Sequence, residues 1–335
     1  MRKICIIAIL LLGLMLAGST TLQAHPLEAG PVDIVANFDA SQLETPENIA
    51  IDPHGNVFIS LALTGEIRKI APDGTQTTYA RLPIGAPLTP CGPFFNAVTG
   101  ITLDAQGTLY VSVVACDPAN RGVWRILADG TQQRLATLPL ESLPNGIALR
   151  HSFVYVADSS LPRIWRVPIN GGPATVWLED PLLQSPPPTP GSLPLPGANG
   201  LQFFRQQLFV SNSGQGTIVA VPFHSDGTAE PPRIHAHLPA PMGGDDFAFD
   251  VDGSIYCTTD PFNTLLKISP DGSTSEILLT SADGLDGPTA AAFGRVGEDR
   301  FNLYITNGAF PFFSTTHAPK LMRLHLNVPG APPAW

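Results

Sequence analysis

The sequence is short of positive charge. It has 18 Lys and Arg against 28 Asp and Glu, a net charge of −10 over 335 residues. An acidic chain with scattered basic residues argues against nucleic acid and anionic membranes as partners. Helical periodicity is missing too, which argues against bundles and helix-covered parallel sheets. Only residues 4–17 form a long apolar run, and a bilayer span takes about 20 residues. Cysteine is sparse, at four residues.

The apolar run lies between Met1-Arg2-Lys3 and Gly18-Ser19-Thr20. Basic start, greasy middle and small-residue exit are the order of a secretory leader. Cleavage after Ala24 is expected, leaving residues 25–335 as one exported domain, in a periplasm or the medium, with no membrane attachment. Cys5 leaves with the leader. Exported chains meet oxidising conditions, and Cys91 and Cys116 flank one strand pair, so a Cys91–Cys116 disulfide is expected. Cys257 sits inside a strand and reads as a buried thiol.

What the chain has in quantity is 31 Gly and 35 Pro, and they punctuate short apolar strands. One unit recurs six times, starting at Glu47, Thr99, Asn145, Asn199, Asp245 and Thr289, with steps of 44 to 54 residues. Each copy opens with an apolar strand and turns at a stretch such as Asp52-Pro53-His54-Gly55 or Asp250-Val251-Asp252-Gly253. Asp and Gly suit such turns through side-chain hydrogen bonds and tolerance of positive φ. A second strand follows (residues 57–60, 109–113, 154–157, 208–211, 255–258 and 303–306). The third alternates polar and apolar residues, as in Glu66-Ile67-Arg68-Lys69-Ile70. Four-stranded units of this length without intervening helices describe an all-β, six-bladed β-propeller. The sixth copy lacks a fourth strand. Residues 32–38 form a spare strand ahead of the first copy, so the N-terminal strand is expected to close the ring. The Pro-rich stretch 181–196 reads as a long connection into blade 4.

The innermost strands of a propeller line its axis. Their starting positions read Glu47, Thr99, Asn145, Asn199, Asp245, Thr289. Two carboxylates and two carboxamides at one level offer the hard oxygens that calcium, or another divalent ion, takes. No His or Cys joins them, which disfavours zinc and copper. Taken singly, each Asn-Gly or Asp-Asp pair is equally a turn.

With this ring in place, the chain resembles the senescence-marker-protein/gluconolactonase family, which includes regucalcin, over residues 31 to 328. The resemblance implies a six-bladed propeller whose tunnel metal is held by Glu47, Asn145, Asn199 and Asp245. It implies hydrolysis of a lactone or related ester, with Asp245 as ligand and as base or nucleophile. Five residues beyond the four ligands stand Asp52, Arg150, Phe204 and Asp250, so the family's Asp is kept twice and lost twice. Asp246 is a candidate further ligand or orienting group. The second-strand ends Asp158, Asn212, Asp260 and Asn307 are expected at the same mouth as contacts for a small-molecule substrate. Phe310, in a loop with Phe312 and Phe313, is a candidate pocket wall, and His317 a candidate contact with no matching motif. A monomer is expected. The competing reading is a non-enzymatic exported propeller with a structural calcium and a binding face. A quinone-dependent dehydrogenase would want grouped His and Arg, and a strictosidine-synthase-like enzyme a glutamate base, for which Glu47 is the ring's sole candidate.

Overall fold

The computed structural model describes residues 30–333, apart from 92–93 and 188–194. The leader lies outside the described residues. Six four-stranded antiparallel sheets follow one another along the chain. Their inner strands are Pro46–Ile51, Ala97–Leu103, Pro144–Arg150, Ala198–Phe204, Phe247–Phe249 and Pro288–Phe293. The second strands extend the expected segments at one or both ends, for example Phe153–Asp158 and Asn302–Asn307. Helix is confined to four short 3₁₀ segments among the described residues, and none is long and apolar enough to cross a membrane.

Blades 1, 2 and 5 turn after their inner strands on the expected aspartate. Asp52 Oδ1 accepts from His54 N and Asn56 N, and Asp104 and Asp250 repeat the pattern. The glycine that completes the turn is left-handed at Gly55, Gly107 and Gly253, which costs a residue without Cβ little. These aspartates therefore build turns at the far end of the inner strands.

The core is a ring of six apolar layers, each between neighbouring blades. Ile67 of blade 1 packs with Ile101 and Val111 of blade 2. Val123 packs with Ile147 across blades 2 and 3, and Ile164 with Leu201 across blades 3 and 4. The sixth layer joins Ile59 of blade 1 to Tyr304 and Leu321 of blade 6. Each such aliphatic chain contributes roughly 1.5–3 kcal/mol on burial.

The outer strand of blade 6 is N-terminal. Val32–Asn37 pairs antiparallel with Lys320–His325, Val32 opposite Leu324 and Asn37 opposite Lys320. That pairing covers a sheet edge that would otherwise be open. A second seam runs close to the axis, where hydroxyl groups of one blade donate to backbone carbonyls of the next. Ser60 reaches Thr99 O, Thr99 reaches Pro144 O, Ser159 reaches Ala198 O, and Ser211 reaches Asp245 O. Thr258 then reaches Thr289 O, and Thr289 returns to Pro46 O of blade 1.

One sequence expectation fails. Cys91 and Cys116 are both free, Cys91 buried and Cys116 exposed. Their side chains meet without a covalent bond: a hydrogen bond to Cys91 raises the Cys116 thiol pKa, while Cys91 Sγ accepts from the buried Arg121 at 3.5 Å. Reading the chain had placed the pair correctly in space but could not see this guanidinium. Cys257 is a buried thiol.

Candidate metal and catalytic centre

The ring residues sit where the inner strands are irregular. Register breaks between Val98 and Ile101, Pro144 and Ile147, and Ala198 and Leu201 leave Thr99-Gly100, Asn145-Gly146 and Asn199-Gly200 out of the ladder. Blades 1 and 6 skip one residue each, Glu47 and Thr289. A bulge re-aims a side chain that regular pleating would point to one face of the sheet. The glycines are not turn residues. A Cβ on Gly146 would stand 2.8 Å from Gly200 Cα, and one on Gly200 2.7 Å from Asp246 Cα. They let inner strands crowd together around the axis.

The two carboxamides are tied back to the wall. Asn145 Nδ2 donates to Ser159 Oγ at 3.2 Å and Asn199 Nδ2 to Ser213 Oγ at 3.0 Å. Those serines donate onward to Ala198 O and Gly244 O of the following blade. Asn199 also hydrogen-bonds to the Asp245 carboxyl, so it ties the wall to the ring, and the oxygens of both amides remain as acceptors that a cation can use.

Three carboxylates join them. Burial, then the charges of Asp260 and Asp246, pushes Glu47 up to about 8. Glu47 keeps some accessible surface at the mouth, but protein surrounds its carboxyl. Burial, then Glu47, Asp260 and Asp246, raises Asp245 well above the usual range. Asp260 is pushed up to about 7, by burial and then by Asp286. Its Oδ1 is shielded from solvent and has no hydrogen-bond partner. Buried carboxylates that repel one another favour either protons or a bound cation.

The four second-strand ends have different fates. Asp158 accepts from Ser142 Oγ, Leu143 N, Ser160 N, Leu161 N and Trp165 Nε1, so its carboxylate is fully engaged in holding loops. Asn212 donates to Leu182 O and Gln184 O, anchoring the connection into blade 4. Asn307 accepts from Asp286 N. Only Asp260 keeps an oxygen for the ring. His317 is exposed, on a loop that Asp286 gathers through Ser314, Thr316 and Ala318 N. Phe310 is buried with Leu63 and Ala97, while Phe312 and Phe313 stand 40% and 39% exposed and Phe95 packs edge-on to Phe312.

Asp246 faces the tunnel interior rather than a substrate. Its Oδ2 accepts from Asn48 Nδ2 at 2.8 Å, and its Oδ1 from Phe247 N. Asn48 belongs to blade 1 and Asp246 to blade 5, so this bond braces non-adjacent blades beneath the ring. Burial sets Asp246 at about 6 against the opposing effect of these bonds. Sequence reading passed over Asn48; the signal was its place beside Glu47 in the same bulge.

No three His, Cys, Asp or Glu side chains among the described residues are grouped closely enough to hold a metal ion. The donor chemistry nonetheless suits a hard cation: oxygen ligands throughout, an orphaned carboxylate oxygen at Asp260, and no Lys or Arg among the causes acting on Glu47, Asp245 or Asp260.

A luciferin-regenerating enzyme superposes with a TM-score of 0.67 at 14% identity, over 91% of this chain and 99% of its own. Regucalcin from Agrobacterium tumefaciens, described as a calcium-binding protein, gives 0.62 at 13% identity, over 90% and 95%. A gluconolactonase from Xanthomonas campestris gives 0.60 at 18% identity, over 92% and 99%. The fold is that of the gluconolactonase and regucalcin propellers. No protein-family model matches the sequence, and no curated protein matches it. Identities this low show shared architecture alone, and what a gluconolactonase-like propeller does is decided by its site.

Proposed function

We propose that the chain is a calcium-dependent hydrolase of a lactone or related ester, exported and monomeric, working at the mouth where Glu47 and Asp245 meet. One observation carries this reading: buried, mutually repelling carboxylates share a ring with two carboxamides tied to wall serines, one of which, Asn199, also hydrogen-bonds to Asp245. Glu47, Asn145, Asn199 and Asp245 would hold the ion, and another divalent cation would meet the same donors. A bound calcium supplies Lewis-acid polarisation of a carbonyl and stabilises negative charge on its oxygen. Asp245 serves as ligand. Asp260, with an oxygen free of other bonds, accepts a proton from the attacking water. The Phe310–Phe312–Phe95 wall gives the acyl or aryl part of a small substrate an apolar surface.

The second reading, a binding propeller with a structural cation, is favoured by the engagement of Asp158, Asn212 and Asn307 in loop anchoring, which leaves few groups for chemistry. Hydrolysis of lactones and aryl esters by the mature chain, with calcium and with chelator, separates the two. Calcium-dependent turnover that Asp260→Asn abolishes, while calcium still raises the melting temperature, supports the hydrolase. A calcium-dependent melting shift without turnover supports the binding propeller.

A further inference from the structure

The face opposite the carboxylate mouth carries a groove between blades 3 and 4, about 390 Å³ in volume. Arg150 stands at the inner-strand end of blade 3, where blades 1, 2 and 5 have Asp52, Asp104 and Asp250. Its guanidinium lies over Phe223, 3.9 Å from the ring centroid, and beside Phe203 at 5.3 Å. Arg166, on the next-but-one strand, lies over Phe153 at 4.8 Å. Tyr155 closes the floor, edge-on to Phe203 and to Trp177, and Trp177 is fixed by its indole N–H to Gly227 O at 2.8 Å.

Stacking occupies the faces of these guanidiniums and leaves their edges. Arg150 makes one long bond, 3.4 Å, to Arg205 O. Arg166 hydrogen-bonds to the Tyr155 hydroxyl, while its Nε is shielded from solvent and has no partner. Elsewhere arginines hold carboxylates: Arg68 on Glu44 and Glu66, Arg81 on Glu66, Arg323 on Asp33. Neither Arg150 nor Arg166 has an ion pair among the described residues. Burial works against the charge of Arg150, and no carboxylate offsets it. Asp226, the acidic residue at the rim, is folded onto its own turn through Thr228 N and Oγ1. Buried donors without acceptors in a native structure call for an explanation.

We propose that this groove is a second binding site, for a small aromatic carboxylate. The guanidinium fork matches a carboxylate in two parallel hydrogen bonds, and the aromatic floor takes a planar ring by stacking or edge contact. A volume of 390 Å³ is within the usual range of small-molecule pockets. A monoanion suits two arginines with one aspartate at the rim.

Calorimetric titration of the mature chain with 2-naphthoate, and with the neutral 2-naphthylmethanol, tests the proposal. One-to-one binding of naphthoate is expected, at least about tenfold tighter than the alcohol, and weakened about tenfold or more by Arg166→Gln or Arg150→Gln. Arg166→Lys, which keeps the charge and loses the fork, should fall between. Absence of binding, equal binding of the alcohol, or unchanged affinity in both glutamine variants would overturn it. Binding of 2-naphthyl phosphate without naphthoate would overturn the carboxylate assignment. Should the glutamine variants fail to fold, the wild-type comparison of acid and alcohol decides by itself.

Discussion

The two ends of the tunnel are built from the same six strands and have opposite chemistry. At the mouth where inner strands begin, Glu47, Asp245 and Asp260 act on one another electrostatically, with no Lys or Arg among the causes. At the other end Ile49, Ile101, Ile147 and Ala291, with Thr102, Gln202 and Arg295, line an open cavity of about 140 Å³, bordered by Ala331, Pro332 and Pro333 of the C-terminal segment. The Asn48–Asp246 bond lies between them. The difference follows from the bulges. Above them side chains are re-aimed to the axis and can be polar; below them regular pleating returns and each second residue packs between blades. One end stores electrostatic repulsion that a ligand can relieve, and the other is bordered by the C-terminal segment, held through Ala331 N to Phe249 O, Gly330 N to Arg300 O and Val251 N to Pro329 O.

The most direct way to break the contrast is at the carboxylates. Asp245→Asn should abolish the calcium-dependent rise in melting temperature and lower ester or lactone turnover by about 100-fold or more. Turnover that persists in chelator would remove the cation from the mechanism. The next effect is a pH dependence. Glu47 near 8 and Asp260 near 7 lie above their unfolded values, so the metal-free native state holds more protons than the unfolded chain. Its stability is then full below pH 4 as far as these groups are concerned and falls as pH rises through 8. A loss of roughly 5 °C in melting temperature between pH 5 and 8.5 is expected in chelator, and saturating calcium should flatten it. A rise over the same window would contradict the repulsion.

Gly146→Ala sharpens the argument that crowding rather than turn geometry selects glycine. Its Cβ meets the blade 4 backbone, and overpacking of this kind costs about 1–3 kcal/mol, readable by denaturant unfolding; a neutral result would return Asn145-Gly146 to an ordinary turn. The smallest effect is expected at the other end. Truncation after Val328 removes the C-terminal segment and its three backbone bonds, costing about 1–3 kcal/mol, with calcium binding unaltered. Loss of calcium binding in that variant would show the two ends to be coupled.

The sequence was legible where its period was. Asp52, Asp104 and Asp250 marked the turns, alternation marked Glu66–Ile70 to the residue, and the spare segment at 32–38 pairs as Val32–Asn37. Equivalent positions in repeats must share a level, so Glu47, Asn145, Asn199 and Asp245 could be grouped without coordinates. The hairpin of Pro90–Cys91 with Phe94–Phe95 was missed because it belongs to a connection outside the repeat.

Tertiary structure decided the rest, because it turns on which partner arrives from another blade. Asp158 closes its second strand and Asp260 stands one place beyond the end of its own; five donors converge on the first and an oxygen of the second stays bare. Asp246 and Asn48 meet across 198 residues of chain. Arg121 takes the Cys91 sulfur. Local sequence, with its periods of two and of one blade, determined the strands, the sixfold ring and the level of the carboxylates. Satisfaction of buried polar groups is a property of the closed ring, and only that closure separated residues that hold the loops from residues left free to bind.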